Sequence, residues 1–121
     1  MKNESKFYNE IKKNINQISW IRLENSVLHG VADLLAYNVN GTFFTVELKH
    51  TKAYSVRLSP HQIAFHTKHK KNTFILVACS LKLGHYRLYP GSLILELNYA
   101  GLKLDPLAQG LRACALKLES L

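Results

Sequence analysis

Apolar residues recur with helical spacing at the start of the chain. They follow one another every three or four residues, at Phe7, Ile11, Ile15 and Ile18. Because this spacing puts them on one side of an α-helix, it predicts an amphipathic helix over residues 3–18. The next segment, WIRLEN at 20–25, alternates apolar and polar residues and predicts a short strand.

Two further strands are predicted on either side of the dipeptide Asn40-Gly41. The flanking segments are VADLLAYNV at 31–39 and TFFTVELKH at 42–50. An Asn-Gly pair between two such runs is a strong signal for a β-hairpin.

The length of the hairpin loop decides where Asp33 points. With a loop of two residues, Asp33 would lie opposite Leu48 and point away from Glu47. With a loop of three residues, Asp33 lies opposite Glu47 on the same face, and Gly41 falls where a left-handed residue is needed. The sequence alone leaves both registers open.

A second helix is predicted by the segment LSPHQ at 58–62. Ser59 is a good N-cap, Pro60 suits the first helical position, and Gln62 completes a capping box with Ser59. We expect this helix to end in the basic run KHKKN at 68–72.

The remaining segments predict two strands and two helices. TFILVACS at 73–80 is a continuous apolar run rich in β-formers, so it predicts a fully buried strand. HYRLYPGS at 85–92 predicts a further strand, and short helices are expected at 91–98 and 106–120. The resulting order is α-β-β-β-α-β with a strand and helices appended.

This order predicts an α/β fold with a mixed central sheet flanked by helices, because hairpin strands are followed by a helical crossover. We expect residues 1–121 to form a single domain, and the apolar fraction of 47% is enough for a core. Cys79 and Cys114 lie in apolar segments and are interpreted as buried thiols in a reducing compartment.

The charge of the chain favours a polyanionic partner. Sixteen Lys and Arg against eight Asp and Glu give a net charge of +8, which points to nucleic acid first and to acidic membrane second. No apolar run is long enough to span a membrane, and the N-terminus lacks the apolar core of a secretory signal. Between Val27 and Ser92 the only acidic residues are Asp33 and Glu47.

A candidate site follows from the third predicted strand. Glu47 and Lys49 are two residues apart and therefore share one face; they could be a solvated surface pair. If the longer hairpin loop brings Asp33 opposite Glu47, the two carboxylates repel each other unless a cation lies between them. Hard oxygen ligands would favour Mg²⁺ or Mn²⁺ over zinc.

The segments GVADLL and FFTVELKHTK together resemble the PD-(D/E)XK nuclease motif, with Asp33 as the first acid and residues 47–49 as E-x-K. Over roughly residues 4–92, the chain looks like small phage-type nucleases akin to the VRR-NUC and archaeal Holliday-junction resolvase branches. That wider likeness rests on ESKFYNEI, RLEN, GVADLL, VELKHTK, LSPHQIAFH, FILVACS and YRLYPGS. Ala32 stands where the name-giving proline would be. The resemblance implies a restriction-endonuclease-like αβββαβ core.

The resemblance also implies roles for single residues. Asp33 and Glu47 would bind a divalent metal, Mg²⁺ or Mn²⁺, with help from the Leu48 carbonyl. Lys49 would orient or deprotonate the attacking water, or stabilise charge on the phosphate. Two further residues are expected at such a site: an acid from the first helix, Glu4 with Glu10 as the fallback, and Gln62.

Candidate contacts to DNA, at phosphates or for Tyr54 at a base, are Arg22, Lys52, Tyr54, Lys68, Lys70 and Lys71. Each candidate has a purely structural alternative. Gln62 could serve only the capping box, Glu4 could only complement the helix dipole, and the basic run could be a solvated helix end. Arg22 could merely solvate a strand.

We therefore predict a metal-dependent DNA endonuclease, with a resolvase of Holliday junctions or branched DNA as the favoured sub-class. Since a junction needs two cuts, a homodimer is expected, with GLRACALKL at 110–118 as either its interface or a core helix. We expect the protein in the cytoplasm of a bacterial or phage-infected cell, without a membrane partner. The alternatives are a non-catalytic nucleic-acid-binding module on the same fold and a protein that binds acidic lipid.

Other chemistries lack their motifs. The six histidines show no spacing typical of a zinc site. A G-x-S-x-G nucleophile elbow and a glycine-rich phosphate loop are also missing, which argues against nucleophilic catalysis and against the use of ATP.

Overall fold

A computed structural model describes residues 2–23, 30–80 and 86–121, with side chains from residue 5 onwards. The helices are α1 (Lys2–Asn14), α2 (Pro60–Lys68), α3 (Ile94–Ala100) and α4 (Leu111–Glu119), with short 3₁₀ turns at Gly91–Leu93 and Gly101–Lys103. The strands are β1 (Ser19–Arg22), β2 (Leu34–Tyr37), β3 (Phe43–Thr51), β4 (Thr73–Cys79), β5 (Tyr86–Pro90) and β6 (Ala108–Gln109).

The six strands form one mixed sheet in the order β1-β2-β3-β4-β5-β6. β3 and β4 are parallel, and every other pair is antiparallel. A parallel pair requires a crossover, which α2 provides. The predicted α/β fold with a mixed sheet is confirmed.

The hairpin has the longer of its two possible loops. Leu34 is paired with Val46, so Asp33, one residue earlier, lies opposite Glu47. Gly41 has a φ of 78°, the left-handed conformation that the three-residue loop requires. The register that brings the two acids to one face is therefore the one the structure shows.

Asn38 holds this loop in place from the inside. Its Oδ1 accepts hydrogen bonds from the backbone N–H groups of Asn40 at 3.0 Å and Thr42 at 3.1 Å. Its amide nitrogen donates to the Leu118 carbonyl at 3.0 Å, and the side chain is only 2% exposed. A helix 80 residues away in the sequence thus fixes the hairpin.

The sheet has two faces, named here after the first helix that covers each. The α1 face packs against α1 and α4 and has an apolar core, made of Phe7, Ile11, Ile15, Ile18, Leu34, Ala36, Phe44, Val46, Leu48, Phe74, Leu76, Tyr86, Leu88, Cys114 and Leu118. The α2 face packs against α2 and α3 around Val56, Ile75, Val77, Cys79, Tyr89, Ile94, Leu97 and Leu102. Cys114 and Leu118 show that α4 is a core helix.

Some predicted boundaries differ from the structure. α1 ends at Asn14, whose side chain donates to the Glu10 carbonyl at 2.8 Å. Such side-chain bonding competes with continued helix, yet Ile15 and Ile18 remain buried beyond the helix end. The last residues of the predicted strand at 20–25 and the first residue of the predicted strand at 85–92 lie outside the described residues.

The C-terminal region contains a strand that the sequence did not predict. β6 precedes α4 inside the segment predicted as one helix, because Leu107 N donates to the Leu88 carbonyl and Gly110 N to the Tyr86 carbonyl, both at 2.7 Å. Both cysteines are buried and neither is in a disulfide, and burial raises the pKa of Cys114 to about 11.

Candidate active site

Alternation along β3 places Glu47 and Lys49 on the α2 face. Their neighbours Val46 and Leu48 point to the α1 face, where both are buried. Glu47 is only 2% exposed and Lys49 is half-buried. These two residues are therefore not a solvated surface pair, since a buried charged group in a protein is paired or coordinates a metal.

Asp33 is attached to the same strand through the backbone of the E-x-K segment. Its Oδ2 accepts a hydrogen bond from the Leu48 N–H at 2.8 Å. The N–H and C=O of one strand residue point towards the same neighbouring strand, so the Leu48 carbonyl also points towards the β2 side. Asp33 lies opposite Glu47 at the start of β2, on the side to which this carbonyl points.

Gln62 completes the predicted capping box and also contacts Glu47. Its Oε1 accepts from the Ser59 N–H at 2.9 Å, and its own N–H donates to the Ser59 hydroxyl at 3.1 Å, so the capping box is complete. Its Nε2 meanwhile donates to Glu47 Oε2 at 3.1 Å. The cap fixes the side chain in the rotamer that reaches Glu47.

The residues at this place fit a hard divalent cation. They offer two carboxylates and a backbone carbonyl, which are the ligand types of Mg²⁺ and Mn²⁺. No group of three or more His, Cys, Asp or Glu that could hold a metal occurs among the described residues. Two carboxylates nevertheless suffice for Mg²⁺, which usually keeps several waters and takes further oxygens from substrate phosphates.

The N-terminal part of α1 approaches the β1–β2 side of the sheet. Arg22 Nη2 donates to the Ser5 hydroxyl at 3.4 Å, and the next residue, Leu23, donates its N–H to the Asp33 carbonyl at 2.8 Å. Glu4 precedes Ser5 in this helix, so it belongs to the end of α1 that contacts β1. The Glu4 side chain is outside the described residues.

The fallback acid, Glu10, is not brought to this site. It accepts a hydrogen bond from the Tyr86 hydroxyl on the α1 face. Burial first, and then this bond, raise the pKa of Tyr86. Glu10 and Tyr86 line a separate cavity of about 870 Å³ that does not include Asp33, Glu47 or Lys49.

Most predicted DNA contacts are exposed and lie at the two ends of β3. Lys52 and Tyr54 follow β3 directly, and Tyr54 is 48% exposed. At the other end, the three lysines Lys68, Lys70 and Lys71 are exposed around the end of α2. Arg22 is also exposed, but its strand register places it on the α1 side, over the Tyr8 ring at 5.4 Å.

The α2 face, which carries Glu47, also has two aromatic residues that were not singled out from the sequence. Tyr37 and Phe43 are directly paired across the hairpin and are 41% and 58% exposed. The signal that could have found them is the alternation itself, since Phe43 and Glu47 are an even number of residues apart.

The chain has little detectable sequence similarity to known proteins. No protein-family model matches it, and no curated protein does. Among solved structures it is similar to Hjc, a Holliday junction resolvase from the archaeal hyperthermophile Archaeoglobus fulgidus. The match has a TM-score of 0.58 at 14% sequence identity and covers 74% of this chain and 78% of that chain. The chain therefore has an α/β fold similar to that of an archaeal Holliday junction resolvase.

Proposed function

We propose that this protein is a divalent-metal-dependent DNA endonuclease of the PD-(D/E)XK type that acts on branched DNA. The observation that carries the proposal is the hairpin register, which puts Asp33 opposite Glu47 with Lys49 on the same face. The fold similarity to a resolvase supports it, as does the net charge of +8.

Asp33, Glu47 and the Leu48 carbonyl would hold Mg²⁺ or Mn²⁺, with Glu4 as the candidate for a further oxygen ligand. When bound, such an ion polarises the phosphate and lowers the pKa of a bound water. Gln62 orients the Glu47 carboxylate by the 3.1 Å hydrogen bond. Because the amide is held at its other end by Ser59, Glu47 is presented in one orientation.

Lys49 supplies the positive charge at the reacting centre. It lies two residues from Glu47 on the same face and is half-buried. There it orients or deprotonates the attacking water, or stabilises the charge that grows on the phosphate.

The exposed basic residues at both ends of β3 would bind the sugar-phosphate backbone without reading sequence. Lys52 lies at one end, near Tyr54, which would contact a base. The lysines around the end of α2 lie at the other end. Since a junction needs two cuts, a homodimer is the expected assembly. The proposed enzyme is a phage or bacterial nuclease of the VRR-NUC kind, and it would act in the cytoplasm.

The test is cleavage of four DNA substrates: a four-way junction, a splayed duplex, a linear duplex and a single strand. Each is incubated with Mg²⁺, Mn²⁺ or EDTA. We expect cutting that requires metal, prefers the junction, and is lost in Asp33→Ala and Glu47→Gln. Asp105→Ala, which removes an exposed acid elsewhere, is the matched control and should cut like the wild type.

Metal binding gives a second readout that does not depend on activity. An ion at about a hundred times its Kd stabilises the folded state by about 2.7 kcal/mol, so Mn²⁺ should raise the melting temperature of the wild type but not of Glu47→Gln. Tight DNA binding without cutting in either metal would contradict the proposal and leave a non-catalytic binding module.

A further inference from the structure

Next to the candidate site, the α2 face of the sheet carries exposed apolar side chains within the described part of the chain. Three large apolar side chains are exposed there: Ile21 on β1 at 50%, Tyr37 on β2 at 41% and Phe43 on β3 at 58%. Alternation puts all three on the face that carries Asp33 and Glu47. We name Tyr37 and Phe43 the aromatic pair.

The two rings of the aromatic pair contact each other across the hairpin. Their centroids are 4.5 Å apart with an interplanar angle of 52°, and the two residues are register partners in the hairpin. The Tyr37 hydroxyl also lies against the bare backbone of Gly41, where a Cβ would come within 3.2 Å of it. Two exposed rings fixed to one hairpin present a preformed surface for stacking.

Positive charge lies beside this surface. The Thr45 N–H donates to the Asn72 carbonyl at 3.0 Å, which fixes the turn after α2 beside β3, two residues from Phe43. That turn carries the exposed residues Lys70 and Lys71. Glu47 lies on the other side of Thr45 along β3. Its backbone is about 13 Å from that of Phe43, since a strand rises about 3.3 Å per residue.

Cations, aromatic rings and the candidate catalytic acids therefore follow one another on one face. A groove that combines positive charge with aromatic rings is the arrangement with which proteins bind single-stranded nucleic acid, because every base has a π-face. A second copy of this chain docked here about a two-fold axis would bring two lysine-bearing turns into one interface, where like charges repel. A polyanion would instead neutralise them.

We propose that the aromatic pair stacks on bases that leave the duplex stack where DNA branches and thereby directs the neighbouring site to branch points. The inference rests on the proposed nuclease function, since it names the feature of the substrate that the same face selects. Lys70 and Lys71 would hold the phosphates beside these bases, while Tyr37 and Phe43 hold the bases themselves.

The test measures DNA binding in EDTA, so that no cutting occurs. One substrate is a duplex with a single-stranded arm that carries 2-aminopurine near the branch; the other is the same duplex with blunt ends. Phe43→Leu keeps the apolar bulk without the π-face, and Phe43→Trp keeps the π-face. The matched control is Tyr99→Ala, which removes a 94% exposed aromatic residue on α3.

We expect Phe43→Leu and Tyr37→Ala to bind the armed duplex about tenfold more weakly, the loss of one stacked base. Binding to the blunt duplex should change less than about twofold, since phosphate contacts remain. The wild type and Phe43→Trp should quench 2-aminopurine, and Tyr99→Ala should behave as the wild type. Urea unfolding of each variant checks that it is folded.

Two results would overturn the inference. One is unchanged binding of the armed duplex by Phe43→Leu and Tyr37→Ala. The other is sedimentation showing a wild-type dimer that these variants convert to monomer, because the pair would then be a protein interface. Failure of the nuclease proposal is distinguishable: quenching without metal-dependent cutting removes the catalytic claim only, whereas cutting with no effect of the variants removes the stacking claim only.

Discussion

The two faces of the sheet have different cores. The α1 face has the larger apolar cluster, whereas the α2 face also carries the candidate catalytic residues. The α1 face is covered along β2 to β5, and its core cluster is apolar. The α2 face is covered over β4 and β5, and α2 reaches β3 through Gln62. Beyond that contact, the described residues leave Tyr37 and Phe43 exposed on the same face.

Four of the five buried polar residues of the described chain follow this division; the fifth, Asn38, lies on the α1 face, where it donates to the Leu118 carbonyl of α4. Glu47, His66, Thr73 and Arg87 are all at most 8% exposed and lie on or under the α2 face. Arg87 is held there by hydrogen bonds to the Leu102 and Leu104 carbonyls at 3.2 and 3.3 Å. The α1 face thus provides most of the apolar burial that stabilises the sheet. The α2 face holds polar groups in fixed positions where α2 and α3 stop covering the strands.

The largest expected difference is between two neighbouring phenylalanines of β3. Phe44 is 2% exposed on the α1 face and Phe43 is 58% exposed on the α2 face. Phe44→Ala should lower the free energy of unfolding by about 3–5 kcal/mol, whereas Phe43→Ala should cost about 1 kcal/mol or less, the size of a cross-strand pair. Urea unfolding measures both, and equal losses would show that the two faces do not differ in this way.

A smaller effect separates the two roles of Gln62. Ser59→Ala removes the acceptor of the Gln62 N–H and should cost about 1 kcal/mol of stability, with the cutting rate within about twofold of wild type. Gln62→Ala also removes the donor to Glu47. Since a hydrogen bond to a charged group is worth about 1.5–3 kcal/mol, its cutting rate should fall by at least about tenfold. Equal cutting by the two variants would reduce Gln62 to a capping residue.

The smallest expected effect is a pH dependence of the free energy of unfolding, which comes from His66, a buried residue of α2. Burial lowers its pKa below the ordinary value, opposed by the Gln62 carbonyl at 2.9 Å from Nδ1 and reinforced by the charge of His69. Below a pH of about 6.5 the unfolded chain binds a proton that the folded chain does not. The free energy of unfolding should therefore fall as the pH falls, by at most about 1.4 kcal/mol per pH unit.

The measurement is urea unfolding at pH 7.5 and pH 5.5. His66→Leu should flatten the dependence, and His61→Gln, which changes an exposed histidine of the same helix, should leave it as in the wild type. A dependence that survives in His66→Leu would assign the proton to another group.

Much of the candidate site could be predicted because its parts are local. The capping box at Ser59 and Gln62 spans four residues and follows from side-chain chemistry alone. The shared face of Glu47 and Lys49 follows from the period of a strand. The hydrogen bond from Gln62 to Glu47 could not be derived from local chemistry, because the position of α2 over the sheet depends on the packing of Ile63 and Val77 in one apolar cluster.

The sequence by itself determined most of the elements, the mixed sheet and the alternation that puts Glu47 and Lys49 on one face of β3; β6 and the end of α1 were not among them. The sequence left the hairpin register open between two loop lengths. Only the tertiary structure decided it, through the buried amide of Asn38 on the Leu118 carbonyl. The physical reason is that a one-residue slip would turn Leu34 and Ala36, which pack against α1 and α4, out of the core, and that penalty exists only once those helices are in place.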